Sequence, residues 1–348
     1  MSGTAMTGKL TGKLQRQLED FVHAEVGARA PEISGLERLG VGRSRENWIF
    51  DARWPDGRVE PLILRQDPPG GLVDTDRAVE FAVLRALEGS GLAAPRALWL
   101  DAQPRWLDRP SLVMVREPGT CEYDVVNGHR PLEVRARLAR EFCELMAAVH
   151  ALDWRALKLD AVLPDPGPSP ALHELRSWEA ILHQDQLEAY PELELAIAHL
   201  AATAPACESP VLVHADFKPG NVLLDGDRIT ALLDWELVHL GDPLEDLGWV
   251  TQPLRTKEHL IPGVWEREDL IAHYAAVRGI DIDPAAVQWW NTFSTFKTAV
   301  MQVSGLRAFL EGRSDDFYRP HPKVLSTLLG ALGPAAGTAI GDRHATHS

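Results

Sequence analysis

Cysteine is scarce in this chain. Three occur in 348 residues, Cys121, Cys143 and Cys207, an odd number without metal-ligand spacing. Such a set fits reduced thiols and a cytoplasmic location. Long apolar runs are missing too. No uninterrupted hydrophobic stretch is long enough to span a bilayer, and Lys9, Lys13 and Arg16 interrupt any run near Met1 that could resemble a signal peptide. A membrane is not an expected partner. Nor is there a basic excess: 35 Lys and Arg stand against 50 Asp and Glu, a formal net charge of −15. That balance argues against nucleic acid as partner. It would suit a cationic substrate, or simply an acidic solubilising surface. No internal repeat is visible.

What the chain does have is a globular composition, 45% hydrophobic and 24% charged with 11 tryptophans, which predicts a sizeable core. Its length exceeds one ordinary core and predicts two domains. Residues 10–29 place Leu10, Leu14, Leu18, Phe21, Val22 and Val26 at helical spacing. Short alternating segments follow at 33–39, 47–52 and 62–65, then a helical pattern at 77–87 and strand-like runs at 97–100 and 111–115. Beyond Arg116-Glu-Pro-Gly119 the pattern is mainly helical, over 132–152, 171–183, 192–202, 267–278, 284–310 and 321–332. The expected fold class is α+β: a small antiparallel β-sheet lobe with a leading helix at 1–116, a large mainly helical lobe at 117–333 and a flexible tail at 334–348.

One stretch states a chemistry. Val211-Leu-Val-His-Ala-Asp-Phe-Lys-Pro-Gly-Asn221, followed by Leu232-Leu-Asp-Trp-Glu236, reads as strand, polar loop, strand, turn, strand. Phosphoryl transfer from ATP needs a carboxylate to orient the accepting hydroxyl, and an amide oxygen with a second carboxylate to hold Mg²⁺. Asp216, Asn221 and Asp234 supply that set in the order kinases use. Each taken singly is an ordinary turn or cap residue. The flanking apolar runs are what make a chance arrangement a poor explanation.

The chain resembles the aminoglycoside phosphotransferase-like (phosphotransferase enzyme) family, a branch of the protein-kinase-like fold. The resemblance runs from about Leu36 to Leu310 and is sharpest where His214-Ala-Asp-Phe-Lys-Pro-Gly-Asn221 and Leu233-Asp-Trp-Glu236 precede Gly241-Asp-Pro-Leu-Glu-Asp-Leu247. It implies Asp216 as the catalytic base or hydroxyl-orienting group, and Asn221 and Asp234 as metal ligands. Lys218 stands where many protein kinases carry a phosphate-contacting lysine; it is read either so or as an exposed loop lysine. His214 is expected to brace the loop, and Asp246 to hold it from a buried position. Glu236 either approaches metal or substrate or faces solvent.

In the small lobe, Leu39-Gly-Val-Gly-Arg-Ser-Arg-Glu-Asn47 lies where a phosphate loop belongs, with Gly42 permitting close backbone approach and Ser44 able to donate to a phosphate oxygen. The strand Pro61-Leu-Ile-Leu-Arg65 departs from the protein-kinase pattern by ending in Arg instead of Lys. A guanidinium can still grip two oxygens. Glu80 is its natural ion-pair partner. Asp67-Pro-Pro-Gly-Gly-Leu72 resembles a branch that includes domains fused to, or encoded beside, acyl-CoA dehydrogenases. Met114 and Arg116 belong to a segment expected to run along the adenine, offering backbone donors and acceptors. His150 and Asp153 read as capping and packing residues, and Arg176, Trp178, Trp289 and Trp290 as packing residues that could reach an acceptor.

The expected function is an ATP- and Mg²⁺-dependent O-phosphotransferase acting on a hydroxyl of a small molecule, with GTP as the other candidate donor and a monomer or homodimer as the working form. A hydroxyacyl-CoA kinase and a non-catalytic nucleotide-binding or scaffold module of the same fold are the alternatives. A protein kinase is disfavoured, because no Ala-Pro-Glu segment follows Asp234.

Overall fold

The structure, a computed structural model, describes residues 2–39, 46–67 and 76–333. Gly42, Ser44 and the predicted tail at 334–348 lie outside the described residues, as does the whole Pro68-Pro-Gly-Gly-Leu72 run after Asp67. In chain order the elements are α1 (Ser2–Val26), β1 (Glu32–Arg38), β2 (Glu46–Arg53), β3 (Val59–Gln66), α2 (Arg77–Leu87), β4 (Ala97–Asp101), β5 (Ser111–Val115) and β6 (Thr120–Cys121). There follow α3 (Leu132–His150), α4 (Pro170–Asp185), α5 (Pro191–Ala202), β7 (Val211–Val213), β8 (Val222–Asp225), β9 (Arg228–Leu232) and β10 (His239–Gly241). Helices α6 (Leu244–Thr251), α7 (Thr256–His259), α8 (Arg267–Arg278), α9 (Pro284–Leu310) and α10 (Pro322–Ala331) complete the described chain. The class is α+β, as the patterning predicts. None of the described helices is long and apolar enough to cross a membrane.

Two compact units result. The first comprises Met1–Glu122, Arg155–Val162 and Gly220–Glu236; the second comprises Tyr123–Trp154, Leu163–Pro219 and Leu237–Ser348. The chain therefore passes from the second unit to the first between Pro219 and Gly220, inside the motif, and returns after Glu236.

The first unit is built on an antiparallel sheet of order β1-β2-β3-β5-β4. Alternation decides its faces. Trp48, Phe50 and Ala52 of β2 and Leu62 and Leu64 of β3 share a core with Leu14, Leu18, Phe21 and Val22 of α1, so the leading helix closes that face. Helix α2 starts where Asp76 caps it, its carboxylate accepting from the Ala78 N–H at 2.7 Å. Its buried stripe is Arg77, Glu80, Val83, Leu84 and Leu87. A second, three-stranded sheet orders β6-β8-β9. Leu232 at the end of β9 donates its N–H to Ala93 O at 2.7 Å, tying the hairpin to the segment before β4.

The second unit is helical apart from the short pair β7 and β10. Helix α9 confines its apolar residues to no single face, the pattern of a helix buried on several sides, and Trp290, Phe293, Phe296, Val300 and Val303 are buried along it. It starts at Pro284 with Asp283 as cap. Helix α6 crosses it closely. Asn291 of α9 donates to Gly248 O at 2.7 Å and to Thr251 Oγ1 at 2.8 Å. A Cβ on Gly248 would meet the Trp290 Cβ at 2.4 Å and its carbonyl carbon at 2.7 Å. The position requires glycine for this close approach. Gly248→Ala should lower the unfolding free energy by about 2 kcal/mol, the ordinary cost of overpacking a filled core. Urea denaturation of the full chain measures this, and an unchanged midpoint would show that α6 and α9 can separate without cost.

Candidate functional site

In the first unit, Arg65 follows Leu64 on β3 and so leaves the α1 side of the sheet. On the opposite face it meets Glu80, which the helical stripe of α2 turns inward. Arg65 Nη1 donates to Glu80 Oε1 at 2.9 Å and Nη2 donates to Asp234 Oδ1 at 2.7 Å. The second oxygen of Glu80 is held by Arg77, which also pairs with Asp67. Burial alone would push the Arg65 guanidinium down, but Glu80 and Asp234 outweigh it and hold the group above its ordinary range. Each buried charge thus has an opposite charge with hydrogen bonds, the condition for tolerating it.

Asn221 and Asp234 lie at one end of the β8–β9 hairpin. The register pairs Val222 with Leu232, and Leu233 N–H donates to Asn221 O at 2.7 Å. Asp234 sits at φ +67°, a left-handed conformation that non-glycine residues rarely adopt. A buried neutral amide and a carboxylate, on chain segments joined by that backbone bond, offer oxygen donors of the kind a hard divalent ion takes. Met114 is buried in β5 opposite Ile63. Arg116 donates its backbone N–H to Pro61 O at 2.9 Å, and its guanidinium faces Asp51 at 3.5 Å.

The second unit carries Asp216 and Lys218. Lys218 Nζ donates to Asp216 Oδ2 at 2.5 Å. His214 is fully buried, and its Nδ1 accepts from the Asp216 N–H at 3.3 Å, a bracing contact. The loop backbone is gripped from beneath by Asp246 of α6. Its Oδ2 accepts from the His214 N–H at 2.9 Å and its Oδ1 from the Ala215 N–H at 2.8 Å. His150 Nε2 lies 3.1 Å from the same carboxylate, and its Nδ1 lies 2.6 Å from the Tyr274 hydroxyl. Burial would raise the Asp246 carboxyl, yet His150 and the loop N–H donors bring it down to about 2.

Several residues here escaped the sequence patterns. Lys297 of α9 is buried and donates to Ala215 O at 2.9 Å, with Glu245 Oε1 at 3.4 Å. Glu245 Oε2 lies 3.0 Å from His239 Nε2, and Glu174 Oε1 lies 3.6 Å from that nitrogen. Two carboxylates are thereby matched by a lysine and a histidine. The available signal was the one lysine of α9, in the middle of a run rich in Trp, Phe and Val. Trp178 lies against Lys297, its ring centroid 5.2 Å from Nζ. Trp289 and Trp290 are core residues, the former donating to Leu200 O at 3.0 Å. Arg176 is exposed and pairs with Glu179.

Burial would lower His239, but Glu174 and Glu245 raise it to about 10. A histidine raised in the folded state adds stability that is complete below its unfolded value near 6.5 and is lost as pH rises through about 10. The unfolding free energy of the wild-type chain should therefore decline across that window more steeply than that of His239→Gln. Urea midpoints at pH 6, 8 and 9.5 read the difference, and parallel curves would remove His239 as the source.

Among known proteins, the model of the phosphotransferase enzyme family matches residues 35–290. Acyl-CoA dehydrogenase family member 11 of Mus musculus is 28% identical over 272 residues, 73% of this chain and 34% of that protein. The chain spans about a third of the length of the acyl-CoA dehydrogenase relatives it matches. A provisionally assigned aminoglycoside phosphotransferase from Ralstonia eutropha shares the fold with a TM-score of 0.67 at 20% identity, covering 92% of this chain and 95% of that one. The streptomycin–ATP–APH(2″)-IIa ternary complex gives a TM-score of 0.55 at 15% identity, over 83% and 89% of the two chains.

Proposed function

The chain belongs to the phosphotransferase enzyme family, and from that premise we propose that it transfers the terminal phosphoryl group of ATP to a hydroxyl of a small molecule. The observation that carries this reading is the bridge from Arg65 to both Glu80 and Asp234, with Asn221 at the same hairpin end. It gathers a phosphate-binding cation and a pair of oxygen ligands within one unit. A structural neighbour that holds ATP with an aminoglycoside supports the nucleotide and the kind of acceptor.

Asn221 and Asp234 would hold Mg²⁺, which when bound screens the charge of the transferring phosphate. Arg65 grips phosphate oxygens while Glu80 fixes its orientation. The segment after β5 receives the adenine. Since the Arg116 N–H is used by Pro61 O, Glu117 supplies the first backbone N–H beyond that ladder. Asp216 accepts a hydrogen bond from the acceptor hydroxyl, aligns it for in-line attack and takes its proton late. Lys218, paired with Asp216 in the structure, stabilises charge on the transferred group. The described cysteines are all free thiols, in keeping with work in the cytoplasm.

A hydroxyacyl-CoA acceptor is the second reading, favoured by one observation: relatives matching 86% and 73% of this chain are acyl-CoA dehydrogenase family proteins. An ATP-consumption screen across aminoglycosides, macrolides, amino alcohols, sugars and hydroxyacyl-CoAs separates the two. In the active pairing, Asp216→Ala should lower kcat by about 10³-fold while Mg·ATP affinity stays within about threefold. Full turnover in that variant would sink the assignment of Asp216. Mg·ATP binding by the wild-type chain without transfer to any hydroxyl compound would favour a non-catalytic nucleotide-binding module.

A further inference from the structure

Lys297 is the least expected side chain in the second unit. It projects from α9 and is 2% exposed, and lysine is almost never buried this deeply without a partner. Its ammonium lies 5.2 Å from the Trp178 ring centroid and 5.3 Å from that of Trp249. It reaches Glu245 Oε1 at 3.4 Å and donates to the Ala215 carbonyl at the shorter distance of 2.9 Å. A buried cation has thus been aimed at a backbone oxygen.

That oxygen occupies a particular place. Ala215 holds φ +67°, a conformation that costs an L-residue about 1 kcal/mol or more and persists only where surroundings enforce it. Its N–H donates to Asp246 Oδ1 at 2.8 Å. Its carbonyl belongs to the peptide unit whose N–H is that of Asp216, and this N–H donates to His214 Nδ1 at 3.3 Å. The 215–216 peptide plane is therefore pinned at both edges, by Lys297 on the oxygen and by His214 on the nitrogen. The plane sets the direction in which the Asp216 side chain leaves the backbone. Adjacent carboxylates of α6 hold the two ends of Ala215: Asp246 directly, and Glu245 through Lys297.

We propose that Lys297 is a positioning residue for Asp216, fixing the strained 215–216 peptide so that the carboxylate is presented to the acceptor hydroxyl. Buried from solvent, it acts through a carbonyl one residue away from Asp216. The catalytic half of the proposal rests on the phosphotransferase reading above; the structural half does not.

The test is a graded series in the full chain. Lys297→Met keeps the length and apolar stem and removes the donor. Lys297→Gln keeps a shorter, neutral donor. Lys297→Arg keeps a cation. With the acceptor found by screening, kcat should fall about 100-fold in Lys297→Met, less in Lys297→Gln, and stay within about tenfold in Lys297→Arg, these being the sizes that misplacement of a reacting group produces. KM for ATP should move less than twofold throughout, because Arg65, Asn221 and Asp234 belong to the other unit. Amide exchange at Ala215 and Asp216 should rise at least tenfold in Lys297→Met and not at Leu233, an outcome readable without any acceptor. A folded Lys297→Met with kcat within threefold of wild type, or with ATP affinity lost in step with kcat, overturns the proposal. If Lys297→Met does not fold, the Gln and Arg variants carry the comparison, and equal kcat in the two overturns it. A wild-type chain that transfers no phosphoryl group removes the catalytic half. Unchanged exchange at 215 and 216 then removes the structural half as well.

Discussion

The buried carboxylate of Asp246 is the constraint on which the loop carrying Asp216 depends. An ionised group with no solvent exposure is sustained only by donors that replace its lost hydration. Here they are the N–H groups of His214 and Ala215 and the imidazole of His150. The dependence is mutual. Without that acceptor the two N–H groups would lose the partner that burial demands, and the strained backbone would be held only at the 215–216 peptide, by Lys297 and His214. Tyr274 extends the chain of contacts to α8 by fixing His150. The loop that carries Asp216 is thereby tied to three helices of its unit.

The same physical device appears in the first unit with different parts. Asp234, like Ala215, adopts a left-handed backbone at φ +67°. Ala215 has no functional side chain and is held by its backbone, through Asp246 and Lys297. Asp234 is held by its side chain, through Arg65, and by the neighbouring Leu233–Asn221 backbone bond. In both cases the strain falls at or next to a residue that has a role on the proposed reading, Asp216 or Asp234, where surrounding charge over-determines the conformation.

Much of this architecture was legible as pattern. Helices α2, α8 and α9 and strand β5 begin and end where the pattern of apolar residues places them, and Asp76, Glu266 and Asp283 are found capping the three helices. Strand β10 was not legible: His239-Leu-Gly241 is three residues long and exists only because β7 pairs with it. The ion pair of Arg65 with Glu80 could be inferred from strand-end and helix-face positions. Its extension to Asp234, 169 residues further along, could not, since sequence separation hides which turn a hairpin end meets. Lys297 was hidden for the opposite reason. Polar residues are scattered round α9 and leave it no preferred face, so its one lysine looks like a solvent-facing residue until Ala215 and Glu245 are seen around it.

The substitution of arginine at position 65 has a consequence for how a metal would be held. An ammonium offers one point of charge, whereas the guanidinium spreads two donors across Glu80 and Asp234 at once. Arg65 and Arg77 together offset two of the three linked carboxylates Asp67, Glu80 and Asp234, which leaves little negative charge, and Asn221 adds none. A ligand set of this kind attracts a bare divalent cation weakly. Magnesium is held by proteins largely through one or two carboxylates together with substrate phosphates, retaining water besides. On the proposed reading, the phosphates of the nucleotide must therefore supply most of the negative charge. Metal and nucleotide would enter as one complex, and Asn221 and Asp234 would serve to orient the ion more than to recruit it.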